Sequence, residues 1–226
     1  MITFDSASAN TTPGGSISWT HTCTGANRLL VVAIASNASV QHNPSSVTYN
    51  GVAMTKIAVS GFDGANASIF LYYLINPATG ANTVSATCID GIQGVAASYT
   101  GAKQSVQPDS YYSAGNSGST PYTVTITNQV QETNCWQILA AEAATNGVSI
   151  STTNTSRENV TVRSVSGVPQ CVLLLCDTNG IVSPGSQSMN WTANAGGSGA
   201  SSVGIILTIA ADNSYYPGNA LFFAGN

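Results

Sequence analysis

The chain has 226 residues, of which 43% are hydrophobic and only 6% charged, with a formal net charge of −4. So much apolar content at so little charge excludes disorder. The five cations (Arg28, Lys56, Lys103, Arg157, Arg163) are too few and too scattered to track a phosphate backbone or an anionic membrane. No apolar run approaches the ~20 residues of a membrane-spanning helix. Ser, Thr, Asn and Gly stand where charge usually stands, so a partner has to be held by shape, hydrogen bonds and apolar contact that salt hardly screens.

In chain order, Ile2–Asp5 reads as a short first strand, Asn10–Gly15 as a turn, and Ser16–Cys23 as a second strand with Ile17 and Trp19 on one face. Asn27–Ser36 (NRLLVVAIAS) is the centre of the sequence. Leu29, Val31, Ala33 and Ala35 fall on one face of an extended chain, and Leu30, Val32 and Ile34 on the other, which predicts a strand buried on both sides. Val47–Tyr49, Asn50-Gly51 and Val52–Val59 predict a two-residue hairpin with a type I′ turn, because both central residues need positive φ. Ile69–Ile75 (IFLYYLI) repeats the doubly buried character; Asn82–Cys88 alternates, and Val95–Thr100 is a further strand. From Gly101 to Pro121 the pattern stops, which predicts a long loop carrying Tyr111 and Tyr112, and loops of that length are often functional.

Tyr122–Thr127 resumes the alternation. Cys135–Ala144 (CWQILAAEAA) has the length and alanines of a helix, but its neighbours make it a strand. On a strand Glu142 shares a face with Trp136, Ile138 and Ala140, so it is either paired inside or the sign of a helix. Ser149–Arg163 is polar and suits a hairpin on a sheet edge. Cys171–Cys176 (CVLLLC), Met189–Ala193 and Val203–Ala210 are strands, with a Gly-rich stretch at Gly196–Ser202. About a dozen short strands, no confident helix and no strong internal repeat predict an all-β fold, a single large antiparallel β-sandwich of jelly-roll type over residues 1–210. Residues 211–226 form a C-terminal tail suited to docking on a neighbouring subunit.

Chemistry is sparse. There is no G-x-S-x-G, and a Ser–His–Asp set would have to recruit His21, which reads as a structural histidine in an alternating strand, or His42 in a loop. Glycoside hydrolysis needs paired carboxylates, yet the glutamates are only Glu132, Glu142 and Glu158, and the aspartates lie in or beside turns, where they cap backbone. Asp63 and Asp90 could contribute to a calcium site, but no D-x-D-x-D cluster supplies the ligand density. The five cysteines (Cys23, Cys88, Cys135, Cys171, Cys176) form no C-x-x-C and read as buried thiols; Cys171 and Cys176 face opposite ways and cannot bridge. No catalytic residue, metal or cofactor is expected. The remaining candidates for binding protein or glycan are aromatic and apolar: Tyr111, Tyr112, Trp191, Tyr215, Tyr216, Leu221, Phe222 and Phe223.

The succession NRLLVVAIAS, VTYNGVAMTKI, LYYLINPATGANTVSAT, GVAASYTG and VGIILTIA resembles a β-sandwich module of bacteriophage virion proteins and large bacterial surface proteins. The resemblance spans most of the chain and rests on scaffold motifs, so it implies a jelly-roll- or lectin-like fold used for display, decoration or adhesion, and no site residue. Met1 runs straight into a strand without a signal-like segment, while six N-x-S/T sequons and a charge-poor surface look extracellular. A virion protein made in the host cytoplasm and released by lysis reconciles the two. The expected function is therefore a non-enzymatic phage structural protein, a capsid decoration (cement) protein or otherwise a tail or fibre component. Its partners would be other virion proteins or copies of itself in a homo-oligomer. The alternative is a carbohydrate-binding module or adhesin that takes a cell-surface glycan.

Overall fold

The computed structural model describes residues 1–36, 42–62, 67–144, 148–162, 171–194 and 200–213. All regular elements among them are strands, and every pairing is antiparallel. In the first half these are β1 (Thr3–Ala9), β2 (Gly14–Cys23), β3 (Leu29–Ser36), β4 (Ser46–Tyr49), β5 (Val52–Ala53), β6 (Thr55–Phe62), β7 (Ala67–Ile75) and β8 (Gly80–Thr100). In the second half they are β9 (Ser110–Gly118), β10 (Tyr122–Val130), β11 (Trp136–Ala144), β12 (Ser149–Ser151), β13 (Thr155–Val162), β14 (Cys171–Asp177), β15 (Gly185–Asn194) and β16 (Ala200–Ile209).

The first half is one sheet folded back on itself. Strand β8 is long enough to serve both layers: Gly80–Thr87 pairs with β2 and β4, and Ile92–Thr100 pairs with β1 and β3. At the corner the ladder to β2 skips from Thr87 to Ile92. The inner layer therefore runs β6-β7-β3-β8-β1, and the outer layer joins β4 and β2 to the other arm of β8. The second half repeats this plan with separate sheets, an inner β13-β14-β11-β16-β9 and an outer β10-β15-β12. Element by element the two orders correspond, β15 and β16 standing for the two arms of β8.

Details confirm the correspondence. Strand β6 carries one extra residue, Ile57, against β7, between the pairs Lys56–Tyr72 and Ala58–Leu71. Strand β13 carries Arg157 at the same place, between Ser156–Cys176 and Glu158–Leu175. Asn27 and Asn134, just before the central strands, both take left-handed φ, at 52° and 61°. After the last strand of each half, Ala102 pairs with Ala211, and the flanking bonds are reciprocal: Lys103 N–H donates to Ala210 O and Asp212 N–H to Gly101 O, both at 2.9 Å. The chain is thus two repeats related by an approximate two-fold axis, rather than one two-sheet sandwich without a repeat. The repeat escapes inspection of the sequence because many equivalent positions differ in residue type: Arg157 stands where the first repeat has Ile57, and Asp177 where it has Tyr73.

The two inner sheets pack face to face. Leu29, Val31, Ala33, Leu71, Val95 and Tyr99 of the first meet Trp136, Ile138, Ala140, Leu173, Ile205 and Leu207 of the second. Each inner sheet then buries its other face on its own outer sheet, Leu30, Val32 and Ile34 against Val47 and Val84, and Leu139, Ala141 and Ile206 against Ile126 and Met189. Inner strands must therefore be apolar on both faces, which is why β3, β11, β14 and β16 are buried throughout. Outer strands face solvent on one side and alternate, as β10 does. At roughly 1.5–3 kcal/mol per buried large aliphatic side chain, these central runs dominate the stabilisation.

Most expected elements stand. Cys135–Ala144 is a strand, all five cysteines are buried and free, and Asn50 and Gly51 take φ of 49° and 75° as a type I′ turn requires. Four expectations change. The stretch 101–121 holds strand β9; β12 and β13 belong to different sheets and are no hairpin; Asn82–Cys88 and Val95–Thr100 are arms of one strand; and Ala211 belongs to the inter-repeat core, so the body does not stop at 210.

Each repeat also sets a tryptophan over a glycine on the inner sheet. An added Cβ on Gly94 would meet Trp19 at 2.5 Å, and one on Gly204 would meet Trp191 at 2.8 Å. Trp19 and Trp191 lie on different strands of the outer sheet, at equivalent rungs (Trp19–Val84 and Val124–Trp191), so the same contact is made from either side of one rung. Gly204→Ala should therefore cost about 1–3 kcal/mol, read as a lower thermal midpoint with an unchanged far-ultraviolet spectrum.

Candidate functional site

Tyr111 and Tyr112 stand at the start of β9, 51% and 56% exposed. They are on a strand rather than in a loop, so they point to opposite faces of the sheet. Tyr111 is paired with Leu207 of the inter-repeat core and Tyr112 with Ile206 of the second repeat's own core. Among the described residues, strand β9 ends its sheet and pairs only with β16. Its sequence, SYYSAGNSG, has no charged residue, whereas the other strands that edge the inner sheets carry Asp5 (β1), Lys56 (β6) and Arg157 with Glu158 (β13). Strand β1, the counterpart of β9, is also stitched to β2: Asp5 accepts from Thr24 N–H and Thr24 hydroxyl, and the Ser6 hydroxyl donates to Thr22 O. Strand β9 is tied to β10 by the Tyr122 hydroxyl donating to Asn116 O at 3.2 Å and Asn128 Nδ2 to Ser110 Oγ at 2.9 Å, and just before it Asp109 accepts from the N–H groups of Gln131 and Glu132 at 2.9 and 3.1 Å.

Trp191 does not join this surface. It is fully buried between the second repeat's sheets, where its Nε1–H donates to Ser202 Oγ at 3.0 Å and its ring fills the space over Gly204. The alternation of β15 puts it inside, which corrects its assignment as a binding residue. Tyr215, Tyr216, Leu221, Phe222 and Phe223, like Asp63, lie outside the described residues.

The polar groups inside the fold are arranged as supports. Arg157 grips Asp177 with two bonds, Nε to Oδ2 at 2.6 Å and Nη2 to Oδ1 at 2.9 Å, and the Tyr99 hydroxyl of the other repeat donates to Oδ2 at 3.0 Å. The same guanidinium lies 4.0 Å from the Phe4 ring centre, so this ion pair ties both repeats together. His21 is buried between two hydroxyls, Nδ1 at 2.8 Å from Ser8 and Nε2 at 3.4 Å from Ser6, and Trp19 Nε1–H donates to Ser8 at 3.0 Å. Asp5 spends its oxygens on Thr24 and Ser98 and does not touch the imidazole, so the group lacks the orienting carboxylate of a nucleophilic triad.

Burial pushes His21 down to about 4, against which the Asp5 charge pulls only partly. The unfolded imidazole takes up a proton near 6.5 that the folded one refuses until about 4. Stability is therefore complete above that window and is lost as pH falls through it, by on the order of 3 kcal/mol. Denaturant melts between pH 7 and 4 should show this slope in the parent chain and a shallower one in His21→Gln.

Glu142 is wholly buried in the face between the repeats, opposite Leu173 and Val203, and neither carboxyl oxygen has a hydrogen bond to the described residues. Burial holds its carboxyl well above the ordinary range, and the nearby Cys171 thiol and Ser68 backbone offset only part of that. The structure gives neither alternative left open by the sequence: Glu142 is on a strand and inside, with no hydrogen-bond partner among the described residues. The unfolded carboxyl ionises near 4.5 while the folded one stays protonated, so stability falls as pH rises above that point. Glu142→Gln does not titrate. The stability gained by this substitution should grow between pH 5 and 8 by up to ~1.4 kcal/mol per unit, and a gain independent of pH would show that Glu142 is not held neutral.

A cleft of about 400 Å³ lies beside the paired Ala102 and Ala211, between Lys103–Ser105 and Ala211–Asn213, and Glu132 also lines it. Lys103 Nζ is engaged by Glu132 at 2.7 Å, and Asn27 Nδ2 donates to Asp212 at 2.6 Å. Neither this cleft nor the open edge of β9 was visible in the sequence. In SYYSAGNSG the two tyrosines follow Ser110, and the glycines and serines after them read as loop. Comparison with protein-family models, curated proteins and solved structures finds no match for this chain.

Proposed function

We propose that this chain is a non-enzymatic structural protein of a bacteriophage virion, a capsid decoration protein or otherwise a tail or fibre component, the display role that the sequence resemblance implies. The observation that carries the reading is the open β9 edge on a rigid double-repeat body. A sheet edge offers a row of unpaired N–H and C=O groups to a neighbour, and Tyr111 and Tyr112 add apolar area on both of its faces. Neutral contacts of this kind survive salt, and many copies on a lattice make weak contacts sufficient.

The glycan-binding alternative has less to rest on. Trp191 is buried, and two tyrosines pointing to opposite faces cannot form one stacking platform. It becomes the working reading if a glycan titration gives a tyrosine signal that Tyr112→Ala abolishes.

The test is sedimentation of source material on a density gradient, with this chain quantified by mass spectrometry. Many copies with intact particles, retained in high salt, support the proposal; free protein at the top of the gradient overturns it. A chain ending at Asn213, which keeps Ala211 in the core, should stay folded, and its loss from particles would assign docking to the tail.

A further inference from the structure

We infer that β9 is the contact through which two copies of this chain associate, antiparallel and about a two-fold axis, so that the inner sheets of two second repeats become one continuous sheet. This rests on the assembly reading above and names the first partner of that edge.

The choice of a second copy follows from charge. Joining β9 to another edge of an inner sheet would bring Asp5, Lys56 or Glu158 against an uncharged strand, where each loses water without gaining a counter-charge. Joining β9 to itself desolvates no charge. The strand is also self-complementary in volume. In a pairing centred on Ala114, Tyr111 lies across from Ser117, Tyr112 from Asn116, and Ser113 from Gly115. Each tyrosine meets a small or short polar residue at the far end of the other copy, and the rotation closes after two subunits. The neighbouring edge β10 is uncharged as well, but its exposed positions are Thr123, Thr125, Thr127 and Gln129, which bring no aromatic surface to a contact.

The experiment is sedimentation equilibrium of the full chain over a wide concentration range. The expected result is a monomer–dimer equilibrium between 23.0 kDa and twice that mass. Gly115→Lys, at an exposed position, puts a cation across from Ser113 twice per dimer and near its symmetry mate, and should weaken association by at least about tenfold. Thr125→Lys on β10 should leave it unchanged. Thermal midpoints of both variants within a few degrees of the parent exclude misfolding as the cause; if Gly115→Lys fails this check, Asn116→Lys replaces it. A parent chain that stays monomeric, or a dimer broken by Thr125→Lys and not by the β9 variants, overturns the inference. Particle binding is read separately on the gradient, so a monomer that still binds particles defeats the self-pairing alone.

Discussion

The face-to-face packing of the two inner sheets is the constraint on which the rest depends. Once a sheet is covered on one side by a second repeat and on the other by its own outer layer, none of its central strands can carry a solvent-facing residue. The consequence is visible in β3, β11, β14 and β16, which are buried from end to end. It also explains the location of the buried polar groups. Asp177, Arg157 and Tyr99 satisfy one another at one end of the shared face, whereas Glu142 at the other end has no hydrogen-bond partner among the described residues and is held towards its neutral form by burial. A neutral acid in that position is compatible with close packing of the sheets; an ionised one is not.

The repeat has a second consequence. Two copies of one plan, joined by a short clamped linker, present matched edges whose surroundings have diverged. In the first repeat, side chains of β1 bond to β2 and a carboxylate sits on the edge. In the second, the matching strand is uncharged and carries two exposed tyrosines. The linker is fixed as firmly as the sheets: the Gln107 side chain takes Ala210 at both backbone groups, its Nε2 donating to the carbonyl at 2.8 Å and its Oε1 accepting the N–H at 3.2 Å. The asymmetry between β1 and β9 is therefore presented on a body whose halves are held in one arrangement, which suits a scaffold whose work is to place a contact.

Much of the fold was legible in the sequence because burial on two faces leaves a local signature. NRLLVVAIAS, IFLYYLI, CVLLLC and VGIILTI are runs no half-buried strand would need, and they prove to be central strands of the inner sheets, two in each. The Asn50-Gly51 turn was legible for an equally local reason, the positive φ of both residues. Strand β9 was not. With one neighbour and wide exposure it needs few apolar residues, and its glycines and serines resemble a loop. Trp191 shows the opposite error: an aromatic after polar residues suggested a surface, and the alternation of β15 turned it inward.

By itself, then, the sequence determined that the chain is all-β, which strands lie at its centre, and that its cysteines stay buried as thiols, since each depends on alternation and composition within a few residues. Only the tertiary structure decided that there are two repeats, that their inner sheets share one core, that Glu142 is enclosed there, and that β9 is an edge strand among the described residues. Those facts depend on which strand lies beside which across most of the chain's length. The repeats conserve that arrangement while the residue type changes at many equivalent positions, as at Ile57 and Arg157 or Tyr73 and Asp177.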